Sequence, residues 1–289
     1  MQAIAFYLAL PFIYLVSALP FPLLYLLSDL SYFILYYVIG YRKKVVLQNL
    51  KNSFPEKTED EILALQKKFF RYFCDLFLET LKTFSISKRS MLKHCSMEEG
   101  SLHLMKKLFE EKKSVILVLG HQGNWEWGGH SFSLLCKHPL YVIYHPLENK
   151  YFDRLVIRMR TRFGTKLIEM KNTYRDRVKM KHETNATAFI ADQTPSPENA
   201  YWTKFMNQDT PVFKGTEVIA RKLNYPVVFV SVEKIKRGRY QLRAEILCAN
   251  PSAAADGEIS DLHTKKLEAE ICRNPENWLW SHRRWKHKR

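Results

Sequence analysis

The stretch Gly120 to Trp127, "GHQGNWEW", places a histidine five positions before a glutamate, with a glycine between them. An ideal α-helix turns about 100° per residue, so five steps leave two side chains roughly 140° apart. In a strand, odd spacing sends them to opposite faces. His121 and Glu126 can therefore meet only across a turn. A carboxylate bonded to one ring nitrogen would fix the tautomer and leave the other nitrogen as a base. The turn holds no nucleophile of its own, neither a G-x-S-x-G elbow nor a cysteine. Such a base would act on an external nucleophile, most simply a substrate hydroxyl, which would attack an activated acyl group. The same residues also fit a loop histidine and a capping glutamate, and H-x4-E by itself is a weak pattern.

The surrounding elements give the turn a place. "SVILVLG", "LYVIYH", "ATAFIAD", "PVVFVSVE" and "YQLRAEIL" are short runs rich in Val, Ile and aromatics. Each is bounded by Gly, Pro, Asp or charged clusters, as buried strands are. Between them lie helical candidates: Trp125–Cys136, Tyr151–Phe163, Tyr174–Glu183, Thr216–Leu223 and Ser260–Cys272. The alternation predicts an α/β fold, a mostly parallel central sheet flanked by helices. The last two strands, joined by "KRGRY", are expected as an antiparallel pair at one edge. His121 then lies just past the carboxyl end of a strand, where open α/β sheets bind ligands. Asn124 is the expected N-cap of the next helix, with Glu126 in its first turn. Upstream, residues 45–85 read as helix, turn, helix, broken at Pro55 and restarted by Thr58, Asp60 and Glu61.

Charge and composition bound the class. The formal net charge is +16, which points to an anionic partner: nucleic acid, an acidic membrane face, or phosphorylated or carrier-bound substrates. The five cysteines are scattered with no C-x-x-C, which predicts reduced thiols and neither a disulfide framework nor a zinc site. From Met1 to Ser28 there is no charged side chain, and Asp29 is the only charge before "YRKK". That run is long enough to cross a hydrocarbon layer. A cleaved signal peptide fits poorly, since no basic n-region precedes the run and positive charge follows it. Pro20 and Pro22 should end the first helix near Leu19, leaving "LSYFILYYVIGY" as a short interfacial helix. The expected organisation is a membrane anchor over 1–40 and an α/β domain over 41–289, held on the cytoplasmic side by Arg42, Lys43 and Lys44. A hydrophobic hairpin lying in one leaflet is the alternative.

In order along the chain, the uncharged N-terminal segment, "YRKKVVLQNLKNSFP", "GHQGNWEW", "NKYFDRLVIRMRTRFGTKLI", "ADQTPSPENAYWTKFMNQDTPVFKGTEVIARKLNYPVV" and "NPENWLWSHRRWK" resemble the bacterial lipid A late acyltransferase family. That family belongs to the larger glycerolipid acyltransferase group marked by H-x4-D/E. The resemblance implies transfer of an acyl chain from a thioester, usually on acyl carrier protein, to a hydroxyl of a lipid A precursor. His121 would be the base and Glu126 its orienting carboxylate. No cofactor beyond the donor thioester and no metal is expected. The implied partners are acyl carrier protein, an anionic lipid and the inner membrane, with no specific nucleic acid. Two other readings stay open: the same chemistry on another lipid acceptor, and a non-catalytic, membrane-tethered polyanion-binding protein.

The match to the family also raises further positions. Arg160 and Arg162 become candidates for binding substrate or phosphopantetheine phosphates, a task suited to guanidinium geometry. Asp192 follows a strand as His121 does; it and Gln193 are candidates for shaping the site, without Asp192 serving as a second base. Asn124 is placed with them as a substrate-binding candidate. Gly215 and Thr216 could offer backbone donors to an oxyanion at a helix start, although an ordinary helix start explains them too. "NWLWSHRRWKHKR" alternates aromatic and basic residues, as suits a membrane interface or nucleic acid. His282 within it reads as structural.

Overall fold

The computed structural model describes residues 2–287 apart from 174, 177–179 and 181. The helix expected over Tyr174–Glu183 falls largely on positions outside the described residues, as do Lys288 and Arg289 of the basic C-terminus. Each other segment expected as a strand forms one, in a seven-stranded sheet. In chain order its strands are β1 (Cys95–Met97), β2 (Val115–Leu119), β3 (Leu140–Tyr144), β4 (Lys166–Glu169), β5 (Ala186–Ile190), β8 (Val227–Lys236) and β9 (Arg239–Cys248). The spatial order is β1-β9-β8-β2-β5-β3-β4, with β8 and β9 antiparallel and every other pairing parallel. The antiparallel pair is thus not the edge: the three-residue β1 adds outside β9. Four strands that do not stand out in sequence complete the picture: β1 and β4 in the main sheet, and β6 (Ala200–Phe205) and β7 (Gln208–Phe213) in a separate hairpin.

Strand alternation divides the interior into two cores. On β2 and β8, Ile116, Val118, Val227 and Phe229 enter one cluster, while Val115, Leu117, Leu119, Val228 and Val230 enter the other. Side chains of a strand alternate faces, so a strand buried on both sides reads as an unbroken apolar run. The first core is closed by α3 (Lys43–Ser53), α4 (Glu59–Lys82), α9 (Gly215–Leu223) and α10 (Glu258–Arg273). Trp278 and Trp280, both buried, complete it. The second is closed by α5 (Lys88–His94), α6 (Glu99–Glu110) and α7 (Trp125–Leu135). The helix α8 (Lys150–Thr161) connects β3 to β4. The restart of α4 is a capping box: the Thr58 side chain accepts from the Glu61 amide while the Glu61 carboxylate accepts from the Thr58 amide. Two orphan donors of the first turn are satisfied at once.

The N-terminal segment breaks where its prolines require, between α1 (Gln2–Ala18) and α2 (Phe21–Phe33). The second piece is longer than expected. Pro22 sits in the first turn of α2, where no amide donor is needed, and the helix runs on through a π-turn over Ile34–Ile39. Among the described residues, Phe21–Ile39, rather than the first helix, is the segment long and apolar enough to cross a membrane. Both helices expose large apolar side chains, among them Leu8, Phe12, Leu26, Phe33 and Val38. Their other faces are fastened to the body. Arg237, at the β8–β9 turn, donates to both Asp29 (2.7 Å) and the buried Asp75 (2.7 Å). Ser28 adds a bond to Asp75 at 2.7 Å. Gly238 is obligatory in this turn: a Cβ there would lie 2.0 Å from the Tyr25 hydroxyl.

Candidate active site

β2 and β5 are adjacent parallel strands whose register pairs Leu119 with Ile190. Two residues past each strand end, the same offset brings His121 opposite Asp192. The Asp192 carboxylate holds His121 twice. Oδ2 accepts the His121 backbone amide at 2.7 Å, and Oδ1 lies 2.5 Å from Nδ1. The Trp278 indole also donates to Oδ2, at 2.8 Å. Burial works to raise the pKa of Asp192, but the His121 ring, its bonds and the Trp278 donor outweigh it and hold the carboxyl well below the usual range. An ionised carboxylate only accepts, so Nδ1 carries a proton and Nε2 is the ring nitrogen that Asp192 does not engage. The Gln193 amide nitrogen is 3.5 Å from Nε2, and the Trp125 ring meets the imidazole edge-on at 4.9 Å.

The turn between β2 and α7 depends on glycine. Gly123 has φ +58°, and a Cβ there would lie 1.9 Å from the Val232 carbonyl oxygen. That position lies in the left-handed region, which only glycine enters freely. The Gly123 amide donates to Asn277 O at 2.9 Å, and its carbonyl accepts from the buried Tyr72 hydroxyl at 2.6 Å.

Glu126 makes no hydrogen bond to His121 among the described residues. It sits in the first turn of α7 facing the last turn of α8, where Arg160 grips both its oxygens: Nε lies 3.1 Å from each, and Nη2 is 2.5 Å from Oε1. Burial acts to raise the Glu126 pKa and is outweighed by Arg160, His130 and His121, leaving it below the usual range. The expected His121–Glu126 contact is thus replaced by two pairs, because strand register delivers Asp192 to the ring first. The two arginines expected to meet phosphates both have partners within the protein. Arg160 is committed to Glu126, and Arg162 donates to the Thr83 carbonyl and lies over the Phe163 ring. Asn124 is the N-cap, its Oδ1 accepting from Trp127 N at 3.0 Å and its Nδ2 donating to Glu79 at 2.8 Å. Fully buried and engaged at both ends, it shapes the turn and has no surface to offer a substrate. Gly215 and Thr216 begin α9 and are not among the residues lining the pocket beside His121.

Glu79 is the residue the sequence concealed. On α4 it lies in the helical stripe of Phe69, Tyr72, Leu76 and Thr83, a charged side chain among apolar ones. It is fully buried and accepts from Tyr25 (2.9 Å), Asn124 (2.8 Å) and Tyr240 (2.8 Å). Burial pushes its carboxyl up to about 7 against those donors. One side chain thus ties the N-terminal helix, the motif turn and β9 together. His282 meets Thr194 Oγ1 at 3.4 Å, and burial lowers its pKa to about 4 against the pull of Asp192.

Below His121 opens a pocket of 210 Å³ between α7 and the sheet. Its walls include Leu119, Val142, Ala188 and Val230, with His121, Gln193, Glu126 and Arg160 as its polar members. An apolar slot with a few convergent polar groups at one end suits a ligand with a hydrocarbon tail and a reactive head.

An α/β sheet carrying a strand-end His–Asp pair at the mouth of an apolar slot can hold a hydrocarbon chain beside an imidazole. The comparison with protein families narrows this: residues 1–287 match the bacterial lipid A biosynthesis acyltransferase family. The chain belongs to that family and is an acyltransferase. It is similar to the lipid A biosynthesis palmitoleoyltransferase of Escherichia coli strain K12, 24% identical over 248 residues, covering 85% of this chain and 79% of the relative. The lauroyltransferase of the same organism is 25% identical with the same coverage. The lipid A biosynthesis acyltransferase of Shigella flexneri is 24% identical over 248 residues.

Proposed function

We propose that this chain moves a fatty acyl group from a thioester, carried by acyl carrier protein, to a hydroxyl of a lipid A precursor at the cytoplasmic face of the inner membrane. The observation that carries the reading is the double hold of Asp192 on His121, which leaves Nε2 at the mouth of the apolar slot beside the Gln193 amide. In the reaction Nε2 takes the proton of the acceptor hydroxyl as its oxygen attacks the thioester carbonyl. The tetrahedral intermediate collapses, the carbon–sulfur bond breaks, and the proton on Nε2 passes to the departing thiolate. An ester and a free thiol result. Asp192 stabilises the transient imidazolium without taking its proton. The slot takes the acyl tail, which sets the carbonyl at its polar mouth. The apolar faces of α1 and α2 favour a membrane-bound enzyme that meets its acceptor in the bilayer.

The test is incubation of the purified protein with acyl-loaded carrier protein and a lipid A precursor, followed by mass spectrometry of the lipid. The expected product gains one acyl ester. His121→Ala should abolish it with the fold retained. Wild-type turnover by that variant would remove the catalytic assignment, and loss of donor thioester without an acylated lipid would remove the acceptor.

A further inference from the structure

With Arg160 and Arg162 engaged internally, the net positive charge must find its anionic partner elsewhere. An open groove of 410 Å³ lies between the start of α3 and the C-terminal segment, lined by Lys44, Val45, Gln48, Asn49, Arg283, Trp285 and Lys286. Three of the seven are cations and none is a carboxylate. Lys44, Arg283 and Lys286 are exposed, and none pairs with a carboxylate among the described residues. Neighbouring basic residues are spoken for: Arg42 donates to Ser281 O at 2.9 Å, and Lys43 lies over the Tyr36 ring.

The floor of the groove is fixed. The Asn49 side-chain amide donates to Trp280 O at 2.8 Å and His282 O at 3.0 Å. The Trp285 indole donates to Thr210 Oγ1 at 2.8 Å while its ring stacks on Phe205. Rigid walls beneath three unneutralised cations suit a doubly charged, compact anion.

Two neighbours say where that anion comes from. The apolar Phe21–Ile39 helix ends five residues before Lys44, which sets the groove at the level of lipid headgroups. On the other side His282, adjacent to Arg283, contacts Thr194, the residue after Gln193. We infer that this groove binds the phosphate monoester of a membrane lipid, and that it is the subsite holding the acceptor's headgroup while its hydroxyl reaches His121. The second half of the statement rests on the proposed acyl transfer; the first does not.

The test uses the full chain in non-ionic detergent, titrated calorimetrically with dioctanoyl phosphatidic acid, dioctanoyl phosphatidylglycerol and inorganic phosphate. The variant is Lys44→Gln/Arg283→Gln/Lys286→Gln. The control, Lys88→Gln/Lys106→Gln/Lys107→Gln, removes equal charge from the exposed faces of α5 and α6. The monoester lipid should bind the wild type more tightly than the diester lipid or free phosphate. The groove variant should lose about tenfold or more in affinity and the control less than about twofold. Equal losses in both variants would reduce the groove to general charge, and free phosphate binding as tightly as the lipid would remove the lipid source. In the acyl-transfer assay the groove variant should raise KM for a phosphorylated acceptor and leave kcat. A rise in KM for the carrier-protein donor instead would assign the groove to that protein. An enzyme with monoester-selective binding at the groove but no acyl transfer would sink the proposed function and keep the site.

Discussion

Asp192 Oδ1 lies 2.5 Å from His121 Nδ1 while Oδ2 accepts the amide of the same residue at 2.7 Å, so one buried carboxylate fixes both the ring and the backbone of the histidine. This double hold follows from parallel pairing of β2 with β5 and needs no contribution from Glu126. Glu126 and Arg160 form a second pair that lines the same slot. The two pairs differ in what they hold: one fixes the His121 ring, and the other joins α7 to α8 beside the pocket.

Glu79 should make stability depend on pH. Its folded pKa of about 7 lies above the ordinary 4.5, so the folded state binds the proton more tightly than the unfolded state. Stability therefore falls as pH rises from about 4.5 through 7, by an amount on the order of 3 kcal/mol. Glu79→Gln should flatten that decline in denaturant titrations in detergent at pH 5 and pH 8. Parallel pH dependences in the two proteins would show that Glu79 does not titrate as described.

Arg237→Gln should loosen the N-terminal helices. It leaves Asp75 buried, with only Ser28 and a Lys234 ammonium at 3.9 Å for support. Leaving a buried carboxylate without its half-exposed arginine costs roughly 1–3 kcal/mol. Hydrogen exchange should speed up in α2 and α4 and leave β3 and β5 as they were. Protection unchanged in α2 would mean that its apolar packing alone holds it.

Gly123→Ala should damage stability and activity together. The added methyl meets the Val232 carbonyl oxygen, and the backbone must leave a left-handed conformation. A loss of roughly 2 kcal/mol or more is expected, with turnover falling because His121 moves with the turn. A variant with full stability and full turnover would contradict the strained-turn account.

Gly129→Ala should do the reverse to stability. A methyl there meets only Leu140 Cδ2, at 3.9 Å, and alanine favours the helix by up to about 1 kcal/mol. Gly129 also lines the slot. The variant should melt higher and lose roughly tenfold in kcat/KM on the longest accepted acyl chain relative to a shorter one. An unaltered chain-length profile would place the acyl tail elsewhere.

Much of this site could be read from the chain. The apolar runs marked five of the strands, the Pro and capping signals marked the helix ends, and Gly120, Gly123 and Asn124 marked the turn after β2. What the sequence hid is non-local. Nothing local says that β5 lies beside β2, and that adjacency alone brings Asp192 to His121. Position in the first turn of α7 made Glu126 look like the partner because it is near in sequence, while Arg160 comes from a helix beyond β3. Glu79 could have been suspected as a lone carboxylate in an apolar stripe, but its three donors arrive from α2, the motif turn and β9. The strand β4 and the β6–β7 hairpin lack the apolar runs that identify strands.

The central claim, that His121 is the base and Asp192 its orienting partner, is tested most directly by a double-mutant cycle on the acyl-transfer rate. His121→Ala should reduce kcat by about 10³-fold or more, Asp192→Asn by a comparable factor, and the double variant by little more than His121→Ala alone, since the two act as a unit. Independent, multiplying losses, or an Asp192→Asn enzyme with wild-type turnover, would contradict the account.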